Sequence, residues 1–171
     1  MKKFTTILTF LICSFLLSFG QIKYTGKIET SFLTYLTNTI IVDADVGWKG
    51  YHLNDGQNGI DFNIVNGIHF KNDISIGVGL GYLNFESIHG YSIFVDYEYY
   101  NSKKKLATLT NYKIGFNKIF NQYENGTTSV PVEIGFGIIY KLNEKLRISA
   151  QSGFLFTQQS LLIPVRVDVR F

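Results

Sequence analysis

The stretch Glu86-Ser87-Ile88-His89-Gly90-Tyr91-Ser92 holds the residue types of an activated nucleophile: Ser87 or Ser92 to attack, His89 as base, and Glu86 to orient the imidazole. The spacing is unspecific, and serine, glycine and glutamate are also the residues of a solvated turn. A turn is the expectation here, and no catalytic residue is assigned. His52, His69 and His89 are isolated from one another and offer no metal-ligand spacing. Asp43, Asp45 and Asp55 miss the pattern of a calcium loop, so no metal or cofactor is assigned.

The regular chemistry lies elsewhere. Lys27, Glu29, Asp96, Glu98, Lys113, Glu133, Arg147, Gln151, Arg166, Asp168 and Arg170 each fall on alternate positions between apolar residues. Gly67, Gly77, Gly79, Gly81, Gly115, Gly135, Gly137 and Gly153 share that face. Period-2 alternation is the signature of strands with two unlike faces. About eight such segments run through the chain: Tyr24–Leu36, Ile60–Phe70, Ile74–Phe85, Tyr91–Tyr100, Leu106–Ile119, Val130–Tyr140, Leu146–Thr157 and Leu162–Phe171. Most have the roughly 9 to 11 residues of a tilted membrane-spanning strand. With 15 Phe and 11 Tyr beside 2 Pro, the composition also favours an all-β chain.

The connections after the second, fourth and sixth segments are tight: KND at 71–73, NSKKK at 101–105 and LNEK at 142–145. The others read as mostly longer: 37–59, ESIHG at 86–90, NQYENGTTS at 121–129, and the short QQSL at 158–161. Short turns on one rim and longer loops on the other characterise outer-membrane barrels, with the short turns and both termini in the periplasm. Ile40, Val42, Ala44, Val46 and Trp48 continue the alternation, so 37–59 is expected to be a long first extracellular loop or hairpin extension; a plain extended hairpin is preferred to a dedicated contact surface formed by Trp48 and Tyr51.

Rings mark both ends of the apolar face. Phe70, Tyr99, Tyr140 and Phe171 fall at the short-turn rim and Tyr82, Phe116 and Phe156 toward the other, with aliphatic residues such as Val78, Leu80, Ile114 and Ile134 between. Amphipathic rings favour headgroup levels and aliphatic side chains favour hydrocarbon. The charged face would then line a narrow interior, which in an eight-stranded barrel is just wide enough to be filled by a paired ionic plug. A soluble barrel with the charges outside is the alternative, but it leaves the glycines and the two ring bands without a purpose.

MKKFTTILTFLICSFLLSFG at 1–20 has the basic start, apolar run and small residues of a secretory signal peptide, leaving 21–171 as the barrel domain. Cys13, the one cysteine, lies in that leader. Cleavage also removes Lys2 and Lys3 but no acid, so the formal charge of +3 falls, and with it the support for nucleic-acid binding.

NGIHF, ISIGVGLGY, IFVDYEYY, KLATLTNYKIGF and IGFGIIYKLNEKLRISAQSGF resemble the family of small bacterial outer-membrane β-barrel domain proteins. The resemblance implies an eight-stranded antiparallel up-and-down transmembrane β-barrel, inserted by the barrel-assembly machinery. Val167, Val169 and Phe171 look like the signal that machinery reads. Arg166 departs from the expected glycine and Pro164 from a polar residue; Pro131 and Pro164 are expected to be absorbed by bulges. The role implied is structural or interactive and non-enzymatic, with outer-membrane lipid and lipopolysaccharide around the wall and a surface protein or polysaccharide at the loops. A lipid-modifying enzyme and a small-solute pore are the rivals.

Overall fold

The computed structural model describes residues 22–39, 53, 56–86, 88–120 and 127–171. The leader and most of 37–59, including Asp43, Asp45, Trp48, Tyr51, His52 and Asp55, lie outside them, as does Ser87. The strands are β1 (Lys23–Asn38), β2 (Gly59–His69), β3 (Ile74–Phe85), β4 (Ile88–Tyr100), β5 (Leu106–Ile119), β6 (Thr127–Ser129), β7 (Val132–Lys141), β8 (Arg147–Thr157) and β9 (Ser160–Arg170).

Neighbours in sequence pair antiparallel, and β9 returns to β1, so the sheet closes on itself. β6 and β7 are one barrel strand with a gap at Val130-Pro131, because Asn117↔Ser129 and Ile114↔Val132 continue a single register along β5. Eight strands therefore surround the axis. Followed across the sheet, the register passes from Thr25 through Gly67, Gly77, Asp96, Lys113, Glu133, Leu155 and Leu162, and re-enters β1 at Tyr35. That stagger, Thr25 to Tyr35, goes with strands tilted about 40° from the barrel axis. The seam ends where Gly26 and Phe171 exchange backbone hydrogen bonds of 2.8 and 2.9 Å. A side chain at residue 26 would strike the Phe171 ring, which lies over the glycine.

Polarity is inverted relative to a soluble protein. Leu80 and Phe116 on the outer face are 64% and 61% exposed, while Arg166 inside is 1% exposed. The soluble alternative, with charges outward, does not describe this sheet.

Two expectations about the backbone are corrected. Neither proline sits in a bulge: at Pro164 the β8–β9 ladder lapses between Ser152↔Val165 and Leu155↔Leu162 and resumes in the same register. A proline lacks the ladder N–H, so the sheet omits bonds and keeps its spacing. The register shift occurs instead between Tyr35 and Thr37, opposite Leu162 and Leu161. Second, ESIHG is a tight hairpin, like the QQSL expected to be short. β3 and β4 meet at Phe85↔Ile88 and β8 and β9 at Thr157↔Ser160, each across two residues. Gln158 and Gln159 both take positive φ, at 49° and 53°, as a twist-matched two-residue hairpin requires. The longer connections of that rim are those around 39–58 and 120–126, both opposite the rim holding Lys23 and Arg170.

Candidate functional site: the barrel interior

Every second residue of each strand points inward, and these positions stack into layers. In the central layer Glu29 accepts from Arg166 Nη1 at 2.8 Å, from Asn63 at 3.1 Å and from Lys113. Its other oxygen lies 2.9 Å from Lys27 Nζ. Lys27 also donates to Asp96 at 2.5 Å and Glu98 at 2.7 Å. Arg166 Nη2 reaches Asp61 and Glu133, each at 3.0 Å, and Ser31 at 3.2 Å. Below, Arg170 forks between Asp168, with Nε at 2.9 Å, and Glu98, while Ser149 donates to Asp168.

Burial of each ion costs several kcal/mol on its own, so the arrangement holds because every ion is paired and the central ones, Lys27, Glu29, Glu98, Arg166 and Arg170, have several partners each. Arginine suits the two shared positions because its planar fork donates in several directions at once. Glycine makes the room. A Cβ at Gly79 would lie 2.3 Å from the Phe94 ring, and one at Gly81 would lie 1.9 Å from Asn63 Oδ1. Phe94 in turn lies under Lys113, whose ammonium is 5.0 Å from the ring centre.

Of the ten charged residues expected inside, nine join this network. Arg147 does not: it is only partly buried, and it donates to Tyr100 Oη at 3.3 Å and Ser102 O at 3.0 Å at the short-turn rim. As the first residue of β8 it has no strand beneath it to complete an enclosure. Tyr100 closes this end, with His69 stacked on it at 5.1 Å and the Arg170 guanidinium 5.2 Å from its ring centre. His69 also shares a 2.8 Å hydrogen bond with Ser75. In the adjoining turn Asp73 is partly exposed. Burial pushes its carboxyl up, but the hydrogen bonds from the Ser102 amide and hydroxyl together outweigh that and hold it below the usual range.

Sequence reasoning missed the other end. Leu33, Leu83, Phe85, Ile119, Leu155 and Leu162 point inward there, and Leu53 from the first connection is fully buried among them. At the same rim is a polar cluster in which Gln158 Nε2 donates to Asn117 at 3.1 Å and Thr127 donates to Gln158 at 2.9 Å. The signal was present: Phe32-Leu33, Phe154-Leu155-Phe156 and Leu161-Leu162-Ile163 are places where alternation gives way to consecutive apolar residues. Asp61, a further buried carboxylate, was also overlooked. Among the described residues, cavities of about 40 Å³ lie beside Arg166 and about 10 Å³ beside Arg170, and a wider one of about 600 Å³ opens at the short-turn rim against His69, Tyr100, Arg147 and Arg170.

Within ESIHGYS, His89 and Ser92 do not converge. His89 is on the outer face of β4, where its Nδ1 shares a 2.5 Å hydrogen bond with Tyr82 Oη, and Ser92 is on the opposite face. The expected turn is in fact strand from Ile88 onward.

On the outer wall Tyr82, Tyr99, Phe116, Tyr140, Phe156 and Phe171 are exposed, and Phe70 is half-buried at its turn. Tyr91 and Phe120 extend the upper group, with ring centres 5.5 Å apart. The zone between is not purely aliphatic. Tyr112, opposite Ile134 and 6.0 Å from Tyr97, lies there, as do Phe136 and Phe154. Val167 and Val169 face outward on β9, and Phe171, just beyond it, is exposed as well.

No protein-family model and no curated protein matches the chain. Solved structures do. It is similar to Neisserial surface protein A, with 11% identity over 88% of this chain and 97% of that one and a TM-score of 0.65. It is also similar to the N-terminal β-barrel domain of Pseudomonas aeruginosa OprF, with 14% identity over 88% and 100% of the two chains and a TM-score of 0.57. The fold is that of the small eight-stranded outer-membrane barrels.

Proposed function

We propose that this chain is an outer-membrane β-barrel with a structural or interactive role in the cell envelope and no catalytic one. The observation that carries the reading is the inverted wall: apolar residues cover the outside of a closed sheet while ten buried ions sit within it. Such a surface is stable in hydrocarbon and aggregates in water, because a closed barrel satisfies its backbone internally while its apolar wall needs an apolar solvent. The leader at 1–20 exports the chain, and the assembly machinery reads Val167, Val169 and Phe171. The termini and the turns at 70–73, 101–105 and 142–146 face the periplasm. The long connections of the opposite rim meet the outside, where lipopolysaccharide and a surface protein or polysaccharide are the partners.

A barrel filled by ions and closed by Leu53 and Tyr100 suits anchoring better than conduction. Separation of His89 from Ser92 favours a non-enzyme over a lipid-modifying one. The test combines membrane fractionation with gel migration before and after boiling, then swelling of liposomes holding the folded protein. Outer-membrane partition, heat-shifted migration and impermeability to small sugars are expected. An aqueous product, or swelling at porin-like rates, contradicts the reading. Unchanged lipid A and phospholipid composition in a His89→Ala strain is expected as well.

A further inference from the structure

The concavity of about 600 Å³ at the short-turn rim is lined by cations from every side of the barrel. Lys23 opens β1, Lys71 and Lys103 sit in the turns after β2 and β4, Lys145 lies in the turn after β7, and Arg147 opens β8. Glu144 is the one acidic side chain lining it among the described residues, and Lys141 engages that at 2.7 Å. At the seam Phe171 O is taken by Gly26 N at 2.8 Å.

Arg147 is the charge left over. In the ladder it stands opposite Lys141 on β7 and Arg170 on β9, and Arg170 stands opposite Lys27 on β1, so four cations form one cross-strand row. Like charges directly opposite destabilise a sheet unless they are neutralised. Three of the four are: Lys141 by Glu144, Arg170 by Glu98 and Asp168, and Lys27 by Asp96 and Glu98. Arg147 donates to Tyr100 Oη at 3.3 Å and Ser102 O at 3.0 Å, which fix the guanidinium without discharging it. His69, stacked on the same Tyr100 ring, has Nδ1 taken by Ser75, and its Nε2 makes no hydrogen bond among the described residues. Lys23, Lys71, Lys103 and Lys145 are exposed, and their ammonium groups have no carboxylate partner among the described residues.

A fixed, unneutralised guanidinium beneath a ring of free ammonium groups is complementary to an anion of several charges. Phosphate supplies that density, since a phosphoryl group carries about two charges and three acceptor oxygens where a carboxylate carries one charge. Tyr100 and the ions beneath it close the way inward, so an anion that enters stops at the mouth. We propose that this mouth binds a small soluble anion bearing several phosphoryl groups, anchored by Arg147 and reached from the turns by Lys71, Lys103 and Lys145. The site goes beyond the envelope role above and needs only the closed barrel, whichever compartment the mouth faces.

The probe is inorganic tripolyphosphate, titrated calorimetrically into the folded protein in phosphatidylcholine nanodiscs, whose lipid has no net charge. Saturable binding of one probe per barrel is expected, weakening as salt rises. Arg147→Gln should weaken it about tenfold. The combined Lys71→Gln, Lys103→Gln and Lys145→Gln variant should weaken it and flatten its salt dependence, whereas Lys118→Gln, exposed at the opposite rim, should leave it unchanged. Absence of saturable binding, wild-type affinity in Arg147→Gln or in the lysine variant, or an equal loss in Lys118→Gln overturns the proposal. Tighter binding of a polyglutamate peptide of similar charge also overturns it and assigns the mouth to an acidic protein segment. Heat-shifted migration is read on every variant, and the lysine variant, altered only at exposed side chains, carries the test where Arg147→Gln fails to fold.

Discussion

Arg166 links three carboxylates, Glu29, Asp61 and Glu133, from three different strands. Its replacement by methionine keeps the volume and strands those charges, so Arg166→Met should destabilise the barrel by about 3–5 kcal/mol. Urea unfolding in lipid vesicles measures this, and adding Glu133→Gln should recover part of the loss. Asp73 makes a smaller, pH-dependent contribution. Its carboxyl is held below the usual range by Ser102, so the folded state binds the proton less readily than the unfolded one. The stabilisation is present above the unfolded-chain value and is lost as pH falls through the lower folded value. Asp73→Asn tolerates the positive φ of 68° and should flatten that acid limb of the stability curve, lowering stability at neutral pH toward the level the wild type reaches in acid. Charged positions such as Lys113 and Glu133 were legible because each interrupts an apolar alternation. Arg147 obeyed the same pattern and still lies outside the network, because residue parity sets the face while height in the barrel sets the enclosure.

Among elements, the hairpin at Gln158-Gln159 is held against its own preference. Two glutamines occupy the left-handed region that a two-residue hairpin demands, where glycine or asparagine is favoured. Gln158 is kept there by its bonds to Asn117 and Ser129, but Gln159 contributes its backbone carbonyl, to Thr39. Gln159→Gly should therefore stabilise the barrel by about 0.5–1 kcal/mol. The reverse is expected at Gly79, where alanine must displace the Phe94 ring and the Lys113 ammonium above it. Gly79→Ala should cost about 1–3 kcal/mol in the same unfolding measurement. The tight hairpin at ESIHG was hidden from sequence because Glu-Ser carries no turn glycine. The bulge near Leu36 was hidden because it depends on how β1 meets a strand more than a hundred residues away. The strands themselves were readable, since period 2 with one buried face fixes each register.

The described residues form a layered cylinder: Tyr100 and His69 at one end, ions through the middle, then an apolar cap entered by Leu53, with a polar cluster around Gln158 at the same rim. Alternation revealed the cylinder and its inversion but not the cap, since an inward leucine beside an outward phenylalanine reads simply as an apolar run. Leu53→Asp places an unpaired charge in the cap and should open that end, which accelerated hydrogen exchange in β1 and β9 near Leu33 and Leu162 would report. All of this depends on which solvent surrounds the wall. Nitroxide labels at Val78 and Ile134 in reconstituted vesicles measure it most directly, through relaxation by oxygen, which concentrates in lipid, against a nickel chelate confined to water. High oxygen and low nickel accessibility at both positions is the predicted result; nickel accessibility equal to that of a label at Lys103 in the rim turn would contradict it.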